Sequence, residues 1–234
     1  MKTYIIHVSD AYEREEHIRK ELSDKNLDLE FIHEGDIKDL SKEVLDIYFT
    51  GGMHDARAAV SCAYKHILTC EKTIKGNEEI VLVLEDDIYC YKNFDTMLKK
   101  ILIEIKERSL KNFFISLEDS TLRYIPGSRR IKGQYLYHEK ISRTTGGYLL
   151  DKEGAQSILN GIKKNKIDRP VDHYYDFLTK EKQIDMFWSQ PAIICQGSID
   201  GSIKTLIGTK RFGFLRTLSY NFQKRYKRLL YRFR

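Results

Sequence analysis

The sequence predicts an α/β protein: a mixed, mostly parallel sheet flanked by helices, followed by a basic amphipathic helix. Three observations predict it. Short apolar runs alternate along the chain with segments whose apolar residues recur at helical spacing. Two of those runs, "IVLVLEDD" and "FFISLED", pass directly into carboxylates. The end of the chain has a composition of its own, with nine Lys/Arg and no Asp/Glu in residues 210–234.

The elements follow in order. "TYIIHV" (3–8) reads as a buried strand, and "DAYEREEHIRKELSD" as a helix with Ile18 and Leu22 on its apolar side. "LEFIHEGD" (29–36) reads as a second strand ending in a polar loop. A glycine pair, Gly51–Gly52, precedes a small-residue helix that Asp55 is placed to cap, with Ala56, Ala59, Ala63 and Ile67 on one stripe. "EIVLVLEDD" is a strand and "NFDTMLKKILIEIKERSL" a helix; "NFFISLEDS" (112–120) is again a strand. Residues 133–164 give two β-rich segments and a helix that Asp151 can cap. "RPVDHYYDFLTKE" opens a further helix, and "WSQPAIICQGSIDGSI" reads as a late strand and loop.

Length and composition bound the function. A chain of 234 residues with 41% hydrophobic and 32% charged residues, three prolines and no low-complexity tract favours one main domain. Four cysteines without a CxxC pair suggest reduced thiols. The N-terminus turns polar too early for a signal peptide, and no apolar stretch reaches the roughly 20 residues that span a bilayer. The net charge of +6 belongs to the tail; residues 1–209 hold 31 basic and 34 acidic residues, net −3. No Walker loop, GxSxG, HExxH or post-strand GxGxxG is present.

The acidic cluster Glu85–Asp86–Asp87 is the leading site candidate, because ligands of such sheets sit beyond the carboxyl ends of the strands. Three adjacent carboxylates repel one another and call for a metal ion, a basic side chain or water. Hard cations such as Mg²⁺ and Mn²⁺ suit carboxylate oxygens and share their coordination with phosphates. A solvated loop, with Asp86 or Asp87 capping the next element, is the plainer alternative.

Five blocks, in order, carry a family resemblance. They are "YIIHVSDAYEREEHI" with Arg14; Ser61-Cys62-Ala63-Tyr64-Lys65-His66; Leu84-Glu85-Asp86-Asp87; "TTGGYLLDKEGAQSIL" with Thr145, Tyr148, Gly154 and Ala155; and "PVD" (170–172) with Gln196. Over residues 3–205 the chain resembles the family 25 glycosyltransferases, which build bacterial lipopolysaccharide and lipooligosaccharide sugars. It departs from their pattern at Ser61, where the family has glycine, and at Lys65, where it has serine.

The resemblance implies a GT-A glycosyltransferase domain over 1–209, with a DXD-like motif binding Mn²⁺ or Mg²⁺ on the diphosphate of a UDP-sugar. Asp87 is then the metal ligand, Glu85 a second, and Asp86 a contact to ribose or donor sugar. Val8, Ser9, Arg14, Glu34 and Lys65 are the further donor-facing candidates. Arg14 has an alternative as a surface partner of Glu30 or Glu34. Thr145, Gly146 and Gly147 read as a close approach to a sugar or as a plain turn. Gln196 and Asp200 are candidates to complete the site. Asp172 reads as the general base or as a helix N-cap, with Glu118 and Asp119 as reserve bases. His66 reads as a hydrogen-bonded core residue. The implied activity is inverting transfer of a hexose, galactose foremost, to a lipid-linked surface glycan. Glucose, galactofuranose or a hexosamine as donor sugar, a sugar nucleotidyltransferase, and a noncatalytic module on the same scaffold are the alternatives.

The tail, 210–234, places Leu215, Leu218, Phe222, Tyr226, Leu229, Leu230 and Phe233 within an arc of roughly 120°, with Arg216, Lys224, Arg225, Lys227, Arg228 and Arg232 opposite. Three partners are open: the surface of an anionic membrane, the body or a second subunit, and nucleic acid. The acidic body disfavours the last. The expected location is cytoplasmic and peripheral, on the inner face of the inner membrane.

Overall fold

The computed structural model describes residues 1–206 and 213–234. In chain order it contains β1 (Lys2–Ile6), α1 (Tyr12–Glu21), β2 (Asp28–Ile32), α2 (Lys42–Tyr48), α3 (Ala58–Lys75), β3 (Ile80–Glu85) and β4 (Ile88–Cys90). Then follow α4 (Phe94–Glu107), β5 (Phe113–Ser116), β6 (Leu136–Glu139), β7 (Gly147–Asp151), α5 (Lys152–Lys164) and α6 (Val171–Lys180). β8 (Asp185–Ser189), β9 (Ile194–Gln196), α7 (Gly197–Asp200) and α8 (Phe214–Leu230) complete it.

Seven strands form the central sheet in the order β2-β1-β3-β7-β5-β8-β6, and β4 pairs with β9 in a small second sheet. β2, β1, β3, β5 and β8 share one direction, while β7 and β6 run against it. The sheet is therefore mixed and mostly parallel, consistent with the expected GT-A-type fold. β3 shows why it is buried on both sides. Val81 and Val83 enter one core with α3, α5 and α6, and Leu82 and Leu84 enter the other with α1 and α4. The period-2 pleat thus sends an unbroken apolar run into two layers of helix.

Local chemistry sets several boundaries. Asp151 ends β7 and caps α5 by accepting from Gly154 N at 2.9 Å, as expected; its carboxylate also accepts from Asn112 N (2.7 Å) and Phe113 N (2.8 Å), tying the start of β5 to the same group. Asp55 does not cap α3, which begins at Ala58 with Arg57 in the cap position and no side-chain cap bond. Ala56 therefore lies outside the helical stripe. α2, capped by Ser41 accepting from Val44 N, is a helix the apolar spacing did not announce.

The antiparallel insertion of β7 positions the site. Leu84 pairs with Gly147, so the entry to β7 meets the exit of β3, and Glu85 N donates to Gly146 O at 2.9 Å. Residues 144–146 are thereby delivered to the carboxyl edge where β1, β3 and β5 end. The expected boundary between domain and tail, at 209/210, lies outside the described residues.

Candidate functional site

A cavity of about 290 Å³ opens at that edge. Val8, Arg14, Lys65, Glu85, Asp86 and Asp87 line it, six of the residues expected there, and His7, Ser61, Cys62 and Ser198 join them. The strand-end rule accounts for the grouping: β1 delivers Val8, β3 delivers Glu85, and the turn 86–87 between β3 and β4 carries the other two carboxylates.

The three carboxylates have different partners. Asp86, 3% exposed, is bound on both oxygens: His7 Nδ1 lies 2.9 Å from Oδ2, and Arg14 donates to Oδ1 at 2.6 Å. It anchors Arg14 at the cavity wall. Arg14 in turn donates to Lys204 O at 2.6 Å and lies 3.8 Å from Asp87 Oδ2, so it takes neither Glu30 nor Glu34 as partner. Glu85 accepts from Thr145 Oγ1 (2.9 Å) and from Gln196 Nε2 (2.8 Å). Asp87 lies 3.5 Å from that same amide and accepts from Ser198 N at 3.3 Å. Gln196 thus holds Glu85 and Asp87 together.

Electrostatics marks Asp87 out. Burial, then the charge of Glu85, push its carboxyl up to about 6, with Arg14 opposing. Among the described residues, the three carboxylates of the turn meet a single guanidinium, that of Arg14. That excess of negative charge on hard oxygen donors fits a divalent cation such as Mg²⁺ or Mn²⁺, with Asp87 and Glu85 the residues to hold it. A second donor set stands beside it. Ligand atoms of Cys62, His66 and Glu85 lie within 4.8 Å of one another. There His66 Nδ1 is bonded to Tyr148 OH at 2.8 Å and Nε2 faces Glu85 Oε1 at 3.7 Å, a buried core position as expected. Burial and the neighbouring carboxylates push the Cys62 thiol well above its ordinary range, which keeps it protonated.

Several expected residues serve the scaffold. Lys65 lines the cavity, but its ammonium is spent on Ile32 O, His33 O and Glu34 O, at 3.0, 3.1 and 3.0 Å, and on Asp36 Oδ1 at 3.0 Å. It fastens the loop after β2. Burial would raise Asp36, yet hydrogen bonds from Ser9 and Lys65 hold it below its ordinary value. Ser9 belongs to this fastening too, donating to His33 O and, through its N–H, to Asp36. Glu34 is exposed, 4.0 Å from Lys72, away from the cavity. A Cβ on Gly146 would lie 2.3 Å from Gln196 Cδ, and one on Gly147 1.9 Å from Ile194 Cδ1. At both glycines the space a Cβ would take is filled by a protein side chain. Asp200 accepts from Ser202 N at 2.8 Å, a local turn.

The base candidates separate. Asp172 lies in the first turn of α6, where Pro170 holds the cap position; its carboxylate accepts from His173 N at 2.9 Å, so it is not the N-cap. Glu118 is fully buried; it accepts from Ser120 Oγ (2.6 Å) and Gly146 N (2.9 Å), and its Oε1 lies 2.6 Å from Thr144 Oγ1. Burial pushes it up to about 8 against those donors. Asp119 is bound by Lys224 and Arg228 of α8, each at 2.8 Å, and by Tyr91 at 2.7 Å. Burial would raise it, but those cations hold it low.

Thr144 went unread in the sequence. Its φ of +95° is an outlier for a β-branched residue. The hydroxyl bridges Glu118 Oε1 and Gln196 Oε1 (2.7 Å), completing a chain Glu118–Thr144–Gln196–Glu85. His7 was likewise passed over, although it ends the first strand beside the cluster it supports. The only cue was position.

Comparison with known proteins decides the family. The model of glycosyltransferase family 25 (LPS biosynthesis protein) matches residues 1–175. The chain belongs to glycosyltransferase family 25. Curated relatives named "Glycosyltransferase 25 family member" match it at 28% identity in Anopheles gambiae and 26% in Aedes aegypti, over 185 residues and 73% of this chain. The alignment spans 30% of each relative, so the chain matches about a third of their length. The family match includes the first four motif blocks and reaches Asp172, while Gln196 and α8 lie beyond it. Membership supports a glycosyltransferase function for the chain.

Proposed function

We propose that this chain is an inverting, metal-dependent glycosyltransferase that moves a hexose, galactose foremost, from a UDP-sugar to a lipid-linked bacterial surface glycan. The observation that carries the reading is the Glu85–Asp87 turn lining a cavity at the strand ends of a family 25 chain. The apolar wall at Val8 and Ile37 suits a nucleoside, and Arg14 adds a positive charge for the diphosphate. Glu85 and Asp87 would hold a divalent cation, which would supply Lewis-acid stabilisation of the leaving diphosphate. Gln196 and Thr145 fix the two carboxylates so that no reorganisation is needed on binding. Asp172 takes the acceptor proton; its charge already acts on Cys62 of the cavity wall.

The test is hydrolysis of a panel of nucleotide sugars by purified protein with Mn²⁺ or EDTA, for wild type and Asp87→Ala. Slow, Mn²⁺-dependent UDP release from one donor, reduced at least about a hundredfold in the variant, is expected. Folded protein that neither releases UDP nor gains thermal stability from Mn²⁺ with any donor overturns the reading and leaves a noncatalytic module.

A further inference from the structure

Helix α8 lies on the body by its charged side. Lys224 Nζ and Arg228 NH2 reach the two oxygens of Asp119, Lys224 lies 3.2 Å from Cys195 Sγ, and Tyr220 donates to Ser120 O at 2.9 Å. The chain end is pinned as well: Gly127 N donates to Tyr231 O and Ser128 N to Arg234 O, at 2.6 and 2.8 Å. An amphipathic helix that merely covers a core turns its apolar stripe inward. This one does the reverse. Leu215, Leu218, Phe222, Tyr226, Leu229 and Phe233 are all at least half exposed, Phe222 by 74% and Phe233 by 84%. The expectation that the stripe packs on the body is therefore set aside.

We infer that α8 is an interfacial helix that seats the protein on an anionic lipid bilayer, with its Leu/Phe stripe at the acyl boundary. Two features select this occupant. Arg225 and Arg232 are exposed, and residues 213–234 contain no Asp or Glu, so the helix meets headgroup phosphates with positive charge alone. A second copy pairing through the same stripe would bring two such basic helices together with no acidic residue on either, a like-charge arrangement that costs affinity. No helix among the described residues is long and apolar enough to cross a membrane, so the mode is seating, not spanning. The inward contacts also join the seat to the site. Ser120 and Cys195, which α8 touches, neighbour Glu118 and Gln196 of the network behind Glu85. The helix that meets the bilayer is thus in contact with neighbours of the cleft. The seating does not depend on the transfer reading, because vesicle binding needs no donor.

The test is co-sedimentation of the full chain with phosphatidylcholine vesicles, pure or containing about one-third phosphatidylglycerol. Wild type is expected to pellet with the anionic vesicles only, and to be released by salt. Leu218→Ser with Phe222→Ser, both exposed positions, should keep the wild-type melting curve and lower binding at least about tenfold. Arg225→Gln with Arg232→Gln should lower binding to anionic vesicles as well. Wild type that stays in the supernatant with both vesicles, or binding that the Leu218/Phe222 variant leaves intact, overturns the proposal. A dimer in sedimentation equilibrium that the same variant abolishes, without vesicle binding, assigns the stripe to a second copy instead.

Discussion

At the scale of single residues, the site is organised by what each charge is already bound to. Lys65 shows this most sharply. It is 1% exposed and offers three N–H donors to three carbonyls and Asp36, itself 5% exposed. Lys65→Met leaves Asp36 buried without its cation, a change that costs about 3–5 kcal/mol. A melting temperature lower by roughly 6–20 °C is expected for a chain of this size. Lys65→Arg should not rescue it, because a planar guanidinium cannot meet acceptors arranged around a compact ammonium. A variant that melts like wild type and loses only nucleotide affinity would return Lys65 to the donor site. The same logic separates Asp86, bound by His7 and Arg14, from Asp87, whose oxygens meet, among the described residues, an amide, a backbone N–H and a distant guanidinium.

At the scale of elements, α8 is held by contacts that its own sequence does not contain. Gly127 is one: a Cβ there would stand 2.2 Å from Arg232 O, so Gly127→Ala must push the chain end off the body. Limited trypsin digestion should cleave within 213–234 at least about threefold faster than in wild type. Gly52→Ala, with open space around its Cβ, is the control expected to change nothing. Equal cleavage rates in all three proteins would show that the end is not held through residue 127. Much of the element list was legible for a local reason. The apolar runs at 3–8, 79–87 and 112–120 became β1, β3 and β5, and the heptad-like stripe of the tail became α8. The site was legible to the same depth. The strand-end rule pointed to Glu85–Asp87 and the family resemblance to Val8 and Arg14, and all five line one cavity. What sequence could not supply was partnership at long range. Asp119 is claimed by residues 105 and 109 positions later, Gly146 faces Gln196 across the cleft, and β7 separates β3 from β5 against chain order. α2 was missed for another reason: at seven residues it is too short to establish a period, and only the Ser41 cap announced it.

At the scale of the whole molecule, the buried carboxyl network behind the site leaves its mark on stability against pH. Glu118 is raised by burial from its ordinary 4.5 to about 8. One local detail agrees with a retained proton: Thr144 Oγ1 has a single hydrogen yet lies within 2.7 Å of both Glu118 Oε1 and Gln196 Oε1. If Glu118 donates to Thr144, and Thr144 to Gln196, both contacts are satisfied. The folded state then binds a proton that the unfolded state has released between those two pKa values. Stability must fall as pH rises across that window. Asp87, raised to about 6, contributes the same sign at lower pH, so comparison with a Glu118 variant above about pH 6.5 reads the part that belongs to Glu118. Between about pH 6.5 and 8 wild type should lose about 1–2 kcal/mol, a drop of a few °C in melting temperature. Glu118→Gln, which keeps a donor at that position without a charge to bury, should melt with a flatter profile across the same interval. Its curve should meet that of wild type at the acid end and lie above it at the alkaline end. Parallel profiles would mean that Ser120, Thr144 and Gly146 already stabilise the carboxylate at neutral pH, and that the network behind Glu85 carries a negative charge rather than a proton.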